Sequence, residues 1–223
     1  ILESIIEMFS EEDFFYFVFN KKQTLDYPEI FDLIKSRIKN FEIISIEPHE
    51  KGPAYSALQV KNINYFEPVI ISYCDFLVEW DYDSFLSNVG EYDMVIPSFV
   101  GFHPSSFGVT TYAYSKLNEK NELLELKEKE SFTNQKHNEY ANTGIYYFNT
   151  YNLFVNSAKD FIKKNLKPSE EAYISLISKK IIENKGSVLI TKVNKFICLG
   201  TPFDYRVFNF WNQYFHKDIK QSN

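Results

Sequence analysis

Short apolar runs alternate with amphipathic stretches along the first third of the chain. The runs FFYFVF (14–19), FEIISI (41–46) and PVIISY (68–73) are continuous and rich in aromatic or β-branched residues, which predicts buried strands. Between the first two, residues 28–39 carry Ile30, Phe31, Ile34 and Ile38 at helical spacing, with Pro28 in the first turn. Residues 53–63 repeat the device, with Pro53 early and Ala54, Ala57, Leu58 and Val60 turned inward. Strand–helix–strand–helix–strand is the βαβ signature of a parallel sheet.

The second half is less regular. DMVIPSF (93–99) predicts another strand, and GVTTYAYS and ELLELK flank the turn-like LNEKN, which predicts a hairpin. A polar loop follows at 129–140, then a strand at GIYYFN (144–149). Residues 169–185 predict a helix capped by Ser169, striped with Ile174, Ile177, Ile181 and Ile182, and stopped by Gly186. SVLITKV predicts a strand and residues 202–214 a closing aromatic helix. The aromatic stretch 208–215 is read either as helix-on-sheet packing or as part of a subunit interface in a homo-oligomer. No repeat or low-complexity linker interrupts the chain. Residues 1–223 are therefore expected to form a single α/β domain, Rossmann-like, with an open mixed, mainly parallel sheet flanked by helices.

Composition narrows the function. With 223 residues, 44% hydrophobic and 18% aromatic, the chain carries enough apolar surface for a sizeable core and is not a disordered one. A net charge of −6 with no dense basic stretch gives no support to a nucleic-acid partner. No apolar run approaches the roughly 18 residues of a membrane span, so no membrane insertion is expected. The opening ILESIIEMF lacks the charged region and cleavage site of a signal peptide. Cys74 and Cys198 form neither a disulfide framework nor a metal-ligand spacing, so a reducing cytoplasm is the expected compartment. Both are read as buried small hydrophobes. His103 and His137 fall in loops and are read as surface residues.

Candidate chemistry begins at Asp75, two residues beyond the apolar run 68–73. Ligands of open α/β sheets bind outside the carboxyl ends of strands, and a carboxylate there can hold Mg²⁺ against substrate phosphates. An N-cap or turn aspartate is the alternative. Gly52 and Pro53 sit between the second strand and its helix, where a glycine admits a ligand to the backbone and the helix amino end favours anions. Glu128-Lys129 ends a strand with a carboxylate beside a cation, a pairing that is often mere solvated surface.

Taken in order, GPAYSAL, a strand ending in YCD, FGV, LKEK, ANTGIYYF and LGTPFDY resemble the sugar-1-phosphate nucleotidyltransferases. The likeness runs from about Lys51 to Trp211. GFHP (101–104) before FGV further resembles the enzymes of bacterial capsule or surface-polysaccharide synthesis. The resemblance implies a GT-A-like nucleotide-diphospho-sugar transferase fold. It also implies a nucleoside triphosphate and a sugar 1-phosphate as substrates, Mg²⁺ as cofactor and pyrophosphate as leaving product. Carried over by residue, Gly52 lies against the nucleotide base with Pro53 beside it, and Asp75 holds Mg²⁺. The Gly108 backbone meets the sugar, Glu128 its hydroxyls and Lys129 its phosphate, while Asn142, Thr143 and Gly144 form a substrate-side turn. Asp75 and Lys129 are the implied catalytic residues.

The sequence departs from that family at three points. Its opening strand and glycine-rich loop, with an arginine and a lysine, have no counterpart here; ILESIIEMF resembles the helix that follows the loop. The domain is thus expected to be missing its first strand and that loop. Cys198 stands where a second metal-binding aspartate is common, leaving Asp75 alone or with a shifted carboxylate such as Asp204. Glu130 replaces the proline usual after the acid–lysine pair. Two other readings stay open. Asp81-Tyr82-Asp83 is a D-x-D motif that would serve a glycosyltransferase using a sugar nucleotide, although carboxylates at the start of DYDSFL also suit a helix cap. The absent loop and Cys198 suit a non-catalytic nucleotide-sugar-binding module.

Overall fold

The computed structural model describes residues 1–103, 106, 112–164, 166–167 and 170–220. Helix α1 (Leu2–Ile6) precedes a two-stranded parallel sheet of β1 (Phe15–Asn20) and β2 (Phe41–Ile46), in register from Phe15 against Phe41 to Asn20 against Ile46. Between them lie α2 (Lys21–Asp26), started by a reciprocal Asn20–Gln23 capping box, and α3 (Glu29–Arg37). Helix α4 (Pro53–Ala57) leads to β3 (Val69–Ser72) and β4 (Phe76–Glu79), then α5 (Tyr82–Asn88) and β5 (Met94–Phe99). The second half supplies β6 (Ala113–Leu117), β7 (Leu123–Glu128), β8 (Tyr140–Asn142), β9 (Ile145–Phe148), α6 (Tyr151–Lys164), α7 (Ile177–Glu183), β10 (Val188–Lys192), β11 (Lys195–Cys198) and α8 (Pro202–Lys220).

Strand β5 is buried throughout and centres a seven-stranded sheet. β10 runs parallel to it on one side. On the other, β8 and β9 form one bent strand antiparallel to β5; β9 passes the sheet on to β3, and β8 to the β6–β7 hairpin. Alternate side chains serve different layers, as a strand's twofold period requires. Met94 and Ile96 face the main core with Phe148, Phe154, Ile177 and Ile181, under α6 and α7. Val95 and Tyr147 pack on Phe85 and Val89 around α5. A further cluster joins Ile5 and Met8 to Phe76, Val78, Phe99 and Phe196.

The fold is mixed α/β, as the alternation predicts, but the balance of pairings is not. Among the described residues only β1–β2 and β5–β10 pair in parallel; the other ladders, β4–β11 included, are antiparallel. The cause is β9, which enters antiparallel between β3 and β5 and keeps those two parallel strands from pairing. Two helices are also shorter than their apolar spacing suggests. α4 stops at Ala57, where i→i+3 bonds tighten the last turn: the Gln59 amide donates to Ser56 O at 3.0 Å and the Val60 amide to Ala57 O at 3.3 Å. The helix expected over 169–185 begins only at Ile177, after a short 3₁₀ turn (Ile174–Leu176). Ala172 instead donates its amide to Lys51 O and accepts from Ala54 N, each at 2.9 Å, which a helical residue 172 could not do. Ser169 and Gly108 lie outside the described residues. No helix among the described residues is long and apolar enough to cross a membrane.

Candidate active site

Asp75 sits in the short link between β3 and β4. Its carbonyl accepts from the Leu199 amide at 2.7 Å, and Phe76 pairs with Cys198, so the end of β11 is fastened beside it. A Cβ built on Gly200 would lie 3.0 Å from Asp75 Oδ2 and 3.5 Å from Cys198 Sγ, so carboxylate and thiol flank one spot. Desolvation raises the Asp75 carboxyl above the usual carboxylate range, although the residue still opens to solvent. Asp204, the alternative carboxylate, is committed elsewhere. It accepts from the Thr201 amide (3.1 Å) and hydroxyl (2.6 Å), and Thr201 Oγ1 accepts from the Asp204 amide (3.1 Å), which caps α8. Among the described residues no group of three or more His, Cys, Asp or Glu could hold a metal ion.

Glu128 ends β7 and Lys129 follows it, and neither is idle surface. Glu128 is half-buried, accepts from Ser175 Oγ, and has its carboxyl raised chiefly by burial, with the Ser175 bond and the Lys129 charge opposing. Lys129 adopts φ +58°, a left-handed conformation uncommon for a side-chain-bearing residue, fixed by its amide donating to Tyr112 O at 3.0 Å. Its Nζ donates to the Tyr173 hydroxyl, and that hydroxyl donates to Glu171. The Tyr173 bond is the first reason its ammonium is held above the ordinary lysine value. Behind the pair, the fully buried Tyr146 hydroxyl is pushed up by burial and by the Glu128 charge.

Gly52 adopts φ +88°, and a Cβ there would fall 2.5 Å from Ala172 N. The glycine thus meets another stretch of backbone directly. In front of it, His49 Nδ1 accepts from the Lys51 amide and Nε2 lies 3.1 Å from Ser56 Oγ. Pro53 occupies the first turn of α4. The link from Gly52 to Lys129 is therefore residues 171–175: Ala172 holds the Gly52 turn, Tyr173 Lys129, and Ser175 Glu128. The Ile174 amide donates to the Tyr73 hydroxyl at 3.3 Å, tying in the chain two residues before Asp75.

Thr143 and Gly144 make the bend between β8 and β9. Thr143 donates its amide (3.1 Å) and hydroxyl (2.8 Å) to Pro97 O. Gly144, at φ +104°, donates no side chain because Phe76 and Tyr73 would meet a Cβ at 2.8 and 3.1 Å. Its carbonyl accepts from the Tyr73 amide. Asn142 is buried; its Oδ1 accepts from Ser115 Oγ (2.9 Å) and Ser98 Oγ (3.4 Å), while its Nδ2 finds no acceptor among the described residues. A buried amide left without an acceptor is costly, and a bound hydroxyl would answer it.

A family model described as nucleotidyl transferase matches residues 9–208. The chain belongs to the nucleotidyl transferase family. A nucleoside-diphosphate-sugar pyrophosphorylase from Vibrio cholerae shares its fold at a TM-score of 0.71 and 16% identity, over 92% of this chain and 84% of that one. The inositol-1-phosphate CTP transferase from T. maritima aligns at 0.60 and 14%, over 83% and 69%. HddC from Yersinia pseudotuberculosis aligns at 0.58 and 18%, over 92% and 80%, and was also solved with GMP-PN. No curated protein matches the sequence.

As a nucleotidyltransferase, the chain has site-supporting residues that its motifs did not mark. Glu171, Tyr173 and Ser175 were hidden because the isoleucine spacing absorbed them into a helix. His103 is buried, not a surface residue: its Nδ1 accepts from the Phe196 amide at 3.3 Å. Cys74 is exposed rather than buried. In the D-x-D motif, Asp81 is the N-cap of α5 and accepts from the Ser84 amide at 2.9 Å.

Proposed function

We propose that this nucleotidyltransferase activates a sugar 1-phosphate with a nucleoside triphosphate. A phosphate oxygen of the sugar attacks the α-phosphorus, the bond to the β-phosphate breaks, and pyrophosphate leaves. The observation that carries this reading is the half-buried Glu128 beside an anchored Lys129, with the buried Asn142, whose Nδ2 meets no close acceptor among the described residues, on β8 of the same sheet. A carboxylate, an amide and a cation so placed suit a ligand with hydroxyls at one end and a phosphate at the other. Little covalent work falls to the protein; holding two anions in line and offsetting their charge supplies the acceleration.

Asp75 is the residue suited to Mg²⁺. A lone carboxylate fits this ion, which keeps waters and takes substrate phosphate oxygens as its remaining ligands. Bound there, Mg²⁺ would offset phosphate charge. Gly52 and Pro53 are proposed for the base side, with Thr143, Gly144 and Gly108 toward the sugar. β1 pairs only with β2, and β3 only with β9, among the described strands. Those open edges support a single domain that receives one further strand carrying a glycine-rich phosphate loop. A cytoplasmic enzyme supplying nucleotide sugars for surface polysaccharide is the role in keeping with GFHP and the free cysteines.

A coupled pyrophosphate assay over a panel of triphosphates and sugar 1-phosphates with Mg²⁺ tests the reading, using protein that includes its native upstream residues. Asp75→Asn should abolish turnover, while Asp81→Asn and Asp83→Asn retain it. Consumption of a sugar nucleotide without pyrophosphate release would identify a glycosyltransferase instead. Nucleotide-sugar binding with no turnover of any pair would identify a binding module.

A further inference from the structure

Helix α8 turns its most apolar face away from the protein. Phe203, Val207, Phe210 and Tyr214 recur at i, i+4, i+7 and i+11, with Trp211 and Phe215 alongside, and all six are 40–66% exposed. The side turned toward the body carries the half-buried Phe208 and Asn209. Ring contacts of Phe210, Trp211, Tyr214 and Phe215 run to one another, at 5.4–5.9 Å between centroids. The packing of this helix on the sheet, one of the two readings of its sequence, therefore accounts for the wrong face.

We infer that α8 is a dimerisation helix, its stripe covered by the same stripe of a second copy in antiparallel orientation. Three features select this occupant. The first is area. Each aromatic side chain carries on the order of 200 Å² and half or more of it is in water, so the stripe presents roughly 600–800 Å². That matches the roughly 800 Å² one partner contributes to a standard interface and exceeds the few hundred Å² a monomer commonly leaves bare.

The second is spacing. The stripe alternates steps of four and three, the seam of an antiparallel helix pair. A two-fold axis beside Phe208 and Asn209 sets Phe203 against Tyr214 of the second copy and Val207 against its Phe210. The central layers then pair one small with one large side chain. An isologous contact needs such self-complementarity, and the two-fold dimer is the commonest oligomer. The third is charge. No ionisable acid or base lies in the stripe, so pairing buries no unmatched charge. Arg206 and Gln213 stay on the rim, and Asp204 is held by its cap. A membrane surface is the weaker occupant, because the chain carries a net charge of −6 and Asp204 and Asp218 offset two of the three bases of α8, Arg206, Lys217 and Lys220, which leaves little to attract anionic lipid.

Sedimentation velocity across micromolar to submillimolar concentrations tests this directly. The expected mass rises from 26.4 kDa to twice that value, with Trp211 emission shifting to the blue as dimer forms. Phe210→Glu with Trp211→Glu should weaken association at least about 100-fold, as loss of central aromatic anchors does, with far-UV circular dichroism and melting temperature of the monomer unchanged. Gln213→Glu, on the rim, should leave the dimer intact. A monomer at every concentration overturns the inference, as does a dimer indifferent to the double substitution. So does a double variant whose monomer melts lower, since the stripe would then be covered by its own chain. Association with anionic phosphatidylserine vesicles in place of self-association overturns it too.

Discussion

A Cβ on Gly52 would lie 2.5 Å from the backbone nitrogen of Ala172, so the turn before α4 and the segment before α7 meet backbone to backbone. This contact joins the base side of the proposed site to its sugar side. One residue along from Ala172, Tyr173 holds Lys129, and three along, Ser175 holds Glu128.

Gly52→Ala should therefore do more than strain one turn. The left-handed φ and the backbone clash together should cost about 2–3 kcal/mol, visible as a fall in melting temperature. Displacing 172–175 should also lower pyrophosphate release by at least about tenfold. A variant with wild-type turnover and melting would show that the two segments separate freely.

Tyr173→Phe removes one hydroxyl and keeps the ring, 4.4 Å from Lys129 Nζ. Losing a hydrogen bond to a charged group costs about 1.5–3 kcal/mol, which predicts a drop of roughly 10- to 150-fold in kcat/KM for the sugar phosphate. KM for the triphosphate should stay put. Equal loss toward both substrates would place Lys129 somewhere other than the sugar phosphate.

Glu128 makes a pH prediction. Burial raises its folded carboxyl above the ordinary 4.5, so the protonated form is the one the fold favours. Its contribution to stability is full below the ordinary value and is lost as pH rises through the raised folded value. Glu128→Gln should then melt higher than wild type at pH 7, by roughly 2–4 °C for each 1 kcal/mol of relief, and the gap should close toward pH 4. Turnover should fall in the same variant, because the sugar loses its charged acceptor. A gap that widens in acid would mean that Ser175 and Lys129 outweigh burial.

These contacts show how far the sequence could be read. The strands 41–46, 68–73 and 93–99 were visible because each is a continuous apolar run, whereas Glu128-Lys129, by itself an ordinary solvated pair, stood out only through the place of LKEK in the ordered set of motifs. What stayed hidden depends on partners distant in the chain. Nothing local tells that residue 145 starts a strand running between β3 and β5, so the pairings looked parallel. Nor does local spacing show that Ala172 bonds to Lys51 and Ala54, and its isoleucine neighbours then imitate a helix. Strand β4 was missed because Phe76–Glu79 is short and paired only with β11, and α6 because its stripe of Phe154, Val155, Ala158 and Phe161 is diluted by asparagine and lysine.

Asp204 and Asp75 separate a structural carboxylate from a functional one. Asp204 spends Oδ2 on the amide and hydroxyl of Thr201, so Asp204→Ala should cost about 1 kcal/mol, the value of a helix cap, and lower the melting temperature slightly. Turnover, and the Mg²⁺ concentration that half-saturates it, should not move. The Asp75 carboxylate accepts only locally, from its own amide; what the rest of the fold takes from the residue is the carbonyl that accepts from Leu199, which asparagine keeps. Asp75→Asn should therefore leave melting within about 0.5 kcal/mol of wild type while removing the response to Mg²⁺. A rise in the half-saturating Mg²⁺ concentration in Asp204→Ala would instead make Asp204 the second ligand, and the capping box its resting state.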